Sequence, residues 1–187
     1  MPHKNILKGA TDDDIWRQVT DQLNSKEEAL EYTALLSVDG YEIMLDVDTD
    51  PGGGFEGGYA STTYTARLQD DSTYRFLIQK QGFKEEIGKL FGMQDIVIGA
   101  PEFDKRFIVK TTDPEKTKSV FSDKELQRSL LHFPEVTFEI RDHKLGGNYE
   151  VMLDLHIEEA ITEPERLKEI YSVFKKVLHL LDPLKSK

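Results

Sequence analysis

The sequence predicts an α+β protein: a predominantly antiparallel sheet of about seven strands, strongly curved in one layout, packed against a long C-terminal helix, with short inserted helices. Three observations carry this expectation. Apolar and polar residues alternate with period two on both sides of Asp39-Gly40. They alternate again on both sides of Gly146-Gly147-Asn148. From Leu167 to Leu181 the apolar period becomes that of a helix.

Residues 1–10 read as a flexible arm. Thr11 then reads as a helix cap, followed by Asp12, Asp13 and Asp14, whose charges oppose the positive end of the helix dipole. Ile15, Trp16, Val19 and Leu23 fall at helical spacing and predict a helix over 12–24. Strands are predicted over 30–37 and 41–48, joined by Asp39-Gly40, a pair that tolerates the positive φ of a two-residue hairpin turn. Tyr32, Ala34, Leu36, Tyr41, Ile43, Leu45 and Val47 form the apolar face of that hairpin.

The segment 50–58, DPGGGFEGG, holds five glycines and reads as a mobile loop, because ordering glycine costs the most backbone entropy. Strands are expected over 59–68 and 73–80, joined at Asp70-Asp71-Ser72. A short helix follows, with Phe83, Ile87, Leu90 and Phe91 on one side and Gly92 as its stop. A connector carries Ile96, Val97 and Ile98, and 106–111 reads as a strand. Asp113-Pro114 opens a helix to 121, and a second helix over 123–133 is capped by Ser122 and ends before Pro134.

The strands flanking Gly146-Gly147-Asn148 set Val136, Phe138, Ile140, Leu153, Leu155 and Ile157 against polar neighbours. Thr162 and Glu165 then have capping-box spacing, with Pro164 in the first turn. Leu167, Ile170, Tyr171, Phe174, Val177, Leu178 and Leu181 form one stripe. Burying seven such side chains stabilises the fold by about 10–20 kcal/mol before entropy is charged. That helix is expected to lie across the sheet, with the whole chain, 1–187, forming a single domain.

Composition narrows the function. The chain has no cysteine, so disulfides, cysteine zinc sites, iron–sulfur clusters and thiol catalysis are excluded. The formal net charge is -11, which repels nucleic acid and anionic membranes and favours a basic protein partner. The start, MPHKNILKGATDDD, has no apolar signal region and no apolar run is long enough to cross a membrane, so cytoplasm is the expected compartment. No phosphate-binding, dinucleotide-binding, zinc-protease or serine-hydrolase motif occurs, and no cofactor is expected.

Two residue sets are candidate sites. Asp46, Asp48, Asp154 and His156 are the metal candidates. Asp46-Val-Asp48-Thr-Asp50 has calcium-loop spacing, but Pro51 stands where the loop needs glycine and Gly57 where it needs glutamate. His156 shares a strand face with Asp154 and Glu158, a cluster suited to a metal or to acid–base work, or simply to a solvated face. The second set, in the run GMQDIVIGAPEFDKRF over 92–107, is Asp95, Glu102, Phe103, Asp104 and Phe107. Carboxylates alternate there with large apolar groups, as in a ligand or partner site. The alternative is a connector pinned by buried Phe103 and Phe107, with Asp104 capping a turn.

The run GMQDIVIGAPEFDKRFIVKTTD resembles a widespread bacterial protein family whose members share G-M-Q-D-I followed by P-E-F-D. Ile43-Met44-Leu45-Asp46, Tyr64-Thr65-Ala66-Arg67 and Glu165-Arg166-Leu167 also match its pattern, so the likeness covers most of 11–182. Gly99-Ala100-Pro101 departs from the family's usual G-D-P. The family has no assigned activity, so the resemblance implies one bacterial domain and no chemistry.

Three functional readings follow. The first is a non-enzymatic binding or protein-interaction domain. The second is a small-ligand domain with an apolar pocket between sheet and helix. The third is a metal-assisted hydrolase using Asp46, Asp48, Asp154 and His156, which requires their side chains to converge on one point.

Overall fold

The computed structural model describes residues 5–25, 31–49, 60–69, 73–82, 92–133 and 135–183. The predicted glycine-rich loop at 50–58, the joint at 70–72 and the body of the helix beginning at Phe83 lie outside these residues.

The fold is α+β, and among the described residues its open sheet has nine strands where about seven were predicted. They are β1 (Asn5–Lys8), β2 (Glu31–Val38), β3 (Tyr41–Asp48), β4 (Ser61–Arg67), β5 (Phe76–Lys80), β6 (Gln94–Ile96), β7 (Phe107–Thr111), β8 (Val136–Leu145) and β9 (Asn148–Ile157). Their order across the sheet is β1-β2-β3-β4-β9-β8-β5-β7-β6. Every pairing is antiparallel except β1 with β2. The helices are α1 (Asp12–Ser25), α2 (Pro101–Arg106), α3 (Pro114–Val120), α4 (Lys124–His132) and α5 (Pro164–Leu181).

The two predicted hairpins are present. Asp39 has φ 51° and Gly40 φ 79°, the doubly left-handed backbone of a type I′ turn, which matches the twist of β2 and β3. Gly146 and Gly147, at 57° and 97°, do the same between β8 and β9. Thr11 caps α1 as predicted. Its hydroxyl accepts from Asp14 N at 3.2 Å, while Asp14 Oδ2 accepts from Thr11 N at 3.2 Å, closing a reciprocal box.

Several expectations are corrected. Part of the supposed N-terminal arm is β1, which pairs in parallel with β2 through the crossover helix α1. Gln94–Ile96, expected in a connector, is the edge strand β6. Pro101–Arg106 forms α2, so β7 begins at Phe107 and Arg106 belongs to the helix. These three elements span three to six residues, too few for a period to show. Asp123, not Ser122, caps α4: its carboxylate accepts from Glu125 N at 2.8 Å and Leu126 N at 3.0 Å. Ser122 instead donates to Ser119 O at 2.8 Å and closes α3. The Thr162 capping box does not form, because Glu163 is the cap residue of α5 and makes no side-chain cap bond.

One face of the sheet carries the core. All seven stripe residues of α5 are buried, joined by Val173. Phe138 of β8 meets Phe174 of α5 at 6.1 Å between ring centres, Phe76 of β5 at 5.7 Å and Phe121 at 6.2 Å. Tyr64 of β4 lies 5.9 Å from Phe174 and donates its hydroxyl to Leu167 O at 2.8 Å. Burial raises the Tyr64 hydroxyl's pKa well above the ordinary phenol value. Rings fill the middle of the interface between sheet and α5, and a cleft of about 470 Å³ lined by Tyr41, Ala66, Arg67, Leu178 and Asp182 opens at the helix's C-terminal end.

Polar ties anchor α5 at its rim. Lys175 reaches Asp12 at 2.6 Å and Asp39 at 2.7 Å, joining α1 to the first hairpin turn. Burial disfavours the charged ammonium, but the two carboxylates outweigh it and raise its pKa. Hydrogen bonds from Lys176, Lys168 and Arg166 lower the pKa values of Asp123, Asp13 and Glu159 respectively. A depressed carboxylate contributes stability that is present above its unfolded value and lost as pH falls through its folded value. The melting temperature is therefore expected to fall as pH drops below 4.5 and 3.8, the ordinary Glu and Asp values. Replacing Lys168 and Lys176 together with Met should flatten that acid slope in pH-dependent melts. An unchanged slope would show that these pairs do not set it.

Candidate functional site

The two sequence-derived residue sets occupy different parts of the molecule. Asp46, Asp48, Asp154 and His156 all lie on the sheet face opposite the core, as strand alternation dictates. None of the described helices packs there: α5 and α1 bury the core face, and α2 inserts Phe103 beside core-facing Phe107 at 4.8 Å.

Register places these residues. One cross-strand row reads Thr33, Asp46, Thr63, His156, Thr137 and Gln79, each directly opposite the next. The neighbouring row reads Met44, Thr65, Asp154, Glu139 and Leu77. Asp46 and His156 are thus two strand spacings apart, about 10 Å between backbones. A single metal ion bound at about 2–2.5 Å from each ligand would need their tips to meet. They do not: among the described residues no group of three metal-ligating side chains gathers at one point.

Each of these side chains has instead a local partner. Thr33 donates to Asp46 Oδ2 at 2.8 Å. Thr63 Oγ1 lies 2.9 Å from His156 Nδ1. Asp154 is only 3% exposed and is the most engaged. It accepts from Thr65 at 2.7 Å through Oδ1 and from Arg141 Nε at 2.5 Å through Oδ2, with His143 Nε2 at 3.2 Å from the same oxygen. A burial this deep requires such pairing, since an unpaired carboxylate there would cost several kcal/mol. Around it Ser61, Thr63, Thr137, Glu139, Arg141 and His156 bound a polar basin of about 310 Å³.

The hydroxyl of Thr63 bonds one imidazole, His156, while the carboxylate of Asp154 bonds another, His143. A hydroxyl–imidazole–carboxylate relay needs both on the same ring. None is assembled among these contacts.

The second set divides by role. Asp95 stands exposed on β6, 3.4 Å from Lys110. Asp104 staples a turn, accepting from Ile98 N at 2.7 Å and Gly99 N at 2.9 Å. Phe103 and Phe107 are buried in the core. Glu102 is exposed on α2. With Ile98, Pro101 and Phe103 it forms one wall of a cleft of about 680 Å³. The opposite wall is α4, through Lys124, Gln127, Arg128 and Leu131. Lys124 and Arg128 escaped the sequence reading. Their i, i+4 spacing on a predicted helix was visible, but that no carboxylate among the described residues pairs with them was not.

The second and third strands of the sheet hold a third feature. On β2 and β3, Glu31, Glu42, Asp46 and Asp48 all point to the face away from the core, and neither strand contains Lys or Arg. Glu31 and Glu42 are exposed and make no ion pair among the described residues.

Neither a protein-family model nor a curated protein matches the chain. Among solved structures, the crystal structure of the mycobacterial trehalose monomycolate transport factor A, TtfA, is similar in fold. The TM-score is 0.50 at 11% sequence identity, over 89% of this chain and 86% of that one. At that identity the likeness concerns the fold alone. No described helix is long and apolar enough to cross a membrane.

Proposed function

We propose that this protein is a cytoplasmic, non-enzymatic binding domain that docks a basic segment of a protein partner on the outer face of β2 and β3. The observation that carries this reading is that Glu31, Glu42 and Asp46 share the outer face of two adjacent strands that contain no Lys or Arg. Glu31 stands directly opposite Asp48, and like charges so placed repel one another across strands. A cationic partner relieves that repulsion, and the net charge of -11 steers it in. We further propose that the GMQDI and PEFD run marks a bacterial family to which this chain belongs.

The test is fluorescence anisotropy with a labelled Lys-rich decapeptide. Binding is expected at low ionic strength and should weaken steeply once the Debye length drops to about 3–5 Å near molar salt. A variant carrying Glu31→Gln, Glu42→Gln and Asp46→Asn should bind at least about tenfold more weakly, a loss of about 1.4 kcal/mol. Asn at 46 keeps an oxygen for the Thr33 hydroxyl, so folding is preserved. Equal binding by wild type and variant would sink the proposal.

A further inference from the structure

The cleft between α2 and α4 lies on the opposite side of the sheet from the acidic face, and two basic side chains line it. Lys124 and Arg128 sit one helical turn apart on α4 and both line it. Neither side chain makes a hydrogen bond or ion pair among the described residues, and neither rests over an aromatic ring. That is unexpected in a chain where Asp and Glu number 35 against 24 Lys and Arg. The neighbouring Lys176, by contrast, holds Asp123 at 2.6 Å. Two cations thus stand without an ion pair among the described residues in a cleft that Glu102 also lines, beside Ile98, Phe103 and Leu131.

The sheet supplies the second half of the site. β6 is the last strand on this side, and no described strand pairs with its outer edge. Gln94 and Ile96 lie opposite Thr111 and Val109, so they share the core-facing side. Continuing the alternation brings Ile98 to that same side, where it enters the cleft. Val97, between them, is 66% exposed. A short edge that no described strand pairs with, ending beside this cleft, is the geometry of strand addition, in which main-chain bonds supply affinity and alternate side chains supply specificity.

We infer that β6 and the α2–α4 cleft capture an extended acidic segment of a partner protein. The segment adds as a strand to β6. One of its apolar side chains enters the cleft beside Ile98 and Leu131, and a carboxylate further along pairs with Lys124 and Arg128. This surface is separate from the acidic face of β2 and β3, so one protein would join an acidic segment and a basic one.

The experiment uses fluorescein-labelled octapeptides that alternate Val and Thr and end in none, one, two or three Asp residues, read by fluorescence polarisation on the full chain. Affinity should rise with each Asp. Lys124→Glu with Arg128→Glu should weaken the best peptide at least about tenfold. Both positions are exposed, and an unchanged melting temperature confirms that the variant is folded. N-methylation of alternate peptide amides, which removes strand hydrogen bonds and leaves charge intact, should abolish binding. The Glu31→Gln, Glu42→Gln, Asp46→Asn variant should bind these peptides like wild type, which separates this surface from the other. Affinity independent of Asp number, or retained in the double charge reversal, overturns the cleft assignment. Binding insensitive to N-methylation overturns strand addition.

Discussion

Replacing Phe138 with Ala is expected to destabilise the protein by about 3–5 kcal/mol, the usual range for losing a fully buried ring. Phe138 is 0% exposed and touches rings from three directions: Phe76 in the sheet, Phe121 after α3, and Phe174 on α5. Truncation removes the transfer free energy of the ring and leaves a cavity between sheet and helix that rigid neighbours only partly fill. Domains of this size lose about 2–4 °C of melting temperature per kcal/mol, so thermal unfolding should shift down by about 6–20 °C. Phe138→Leu keeps most of the volume and should cost about a third as much. The measurement also bears on a small-ligand pocket between sheet and helix. Loss of less than about 1 kcal/mol would mean a loosely filled interior, and the packing described above would be wrong.

The second large effect concerns Asp154. Arg141→Met removes the cation that holds a carboxylate only 3% exposed. Breaking one side of a buried pair costs about 3–5 kcal/mol because the remaining charge is stranded. Here Arg141 is itself 49% exposed, and Thr65 and His143 still reach Asp154, so about 2–3 kcal/mol is expected. Adding Asp154→Leu to Arg141→Met should recover most of that loss, since an apolar residue no longer needs a partner. Urea unfolding of wild type, both single variants and the double variant gives the coupling energy directly. Additive losses would show that Arg141 and Asp154 are not a pair.

The long elements were legible because their patterns repeat. β2 with β3 and β8 with β9 announce themselves through period two and turn residues that tolerate positive φ. The stripe of α5 runs for four turns and has one physical solution, burial on the sheet. β1, β6 and α2 were not legible, because three to six residues cannot display a period and their existence depends on neighbours. β1 forms only because α1 carries the chain back beside it, a tertiary condition. The Asp123 cap shows the same limit at one residue. Ser122 and Asp123 can both cap a helix, and only the end of α3, which takes the Ser122 hydroxyl, decides between them.

The site followed the same division. Period two put Asp46 on the polar side of its strand, and Asp154 with His156 on the polar side of theirs. Whether they meet depends on strand order, and β4 stands between β3 and β9, so Thr63 separates Asp46 from His156. Hydrophobic pattern also located Phe103 and Phe107 as anchors of the 92–107 run. It could not show that Lys124 and Arg128 face the same cleft, because α4 reaches α2 only in the folded chain.

A two-dimensional ¹⁵N NMR titration with the Lys-rich decapeptide tests the proposed docking face most directly. At about 50 mM salt the amide shifts should concentrate on Glu31–Asp48 and on Ser61–Arg67, and they should collapse near about 500 mM, where exposed charges are strongly screened. Shifts confined to α4 and β6, or unchanged by salt, would contradict an electrostatic docking surface on β2 and β3.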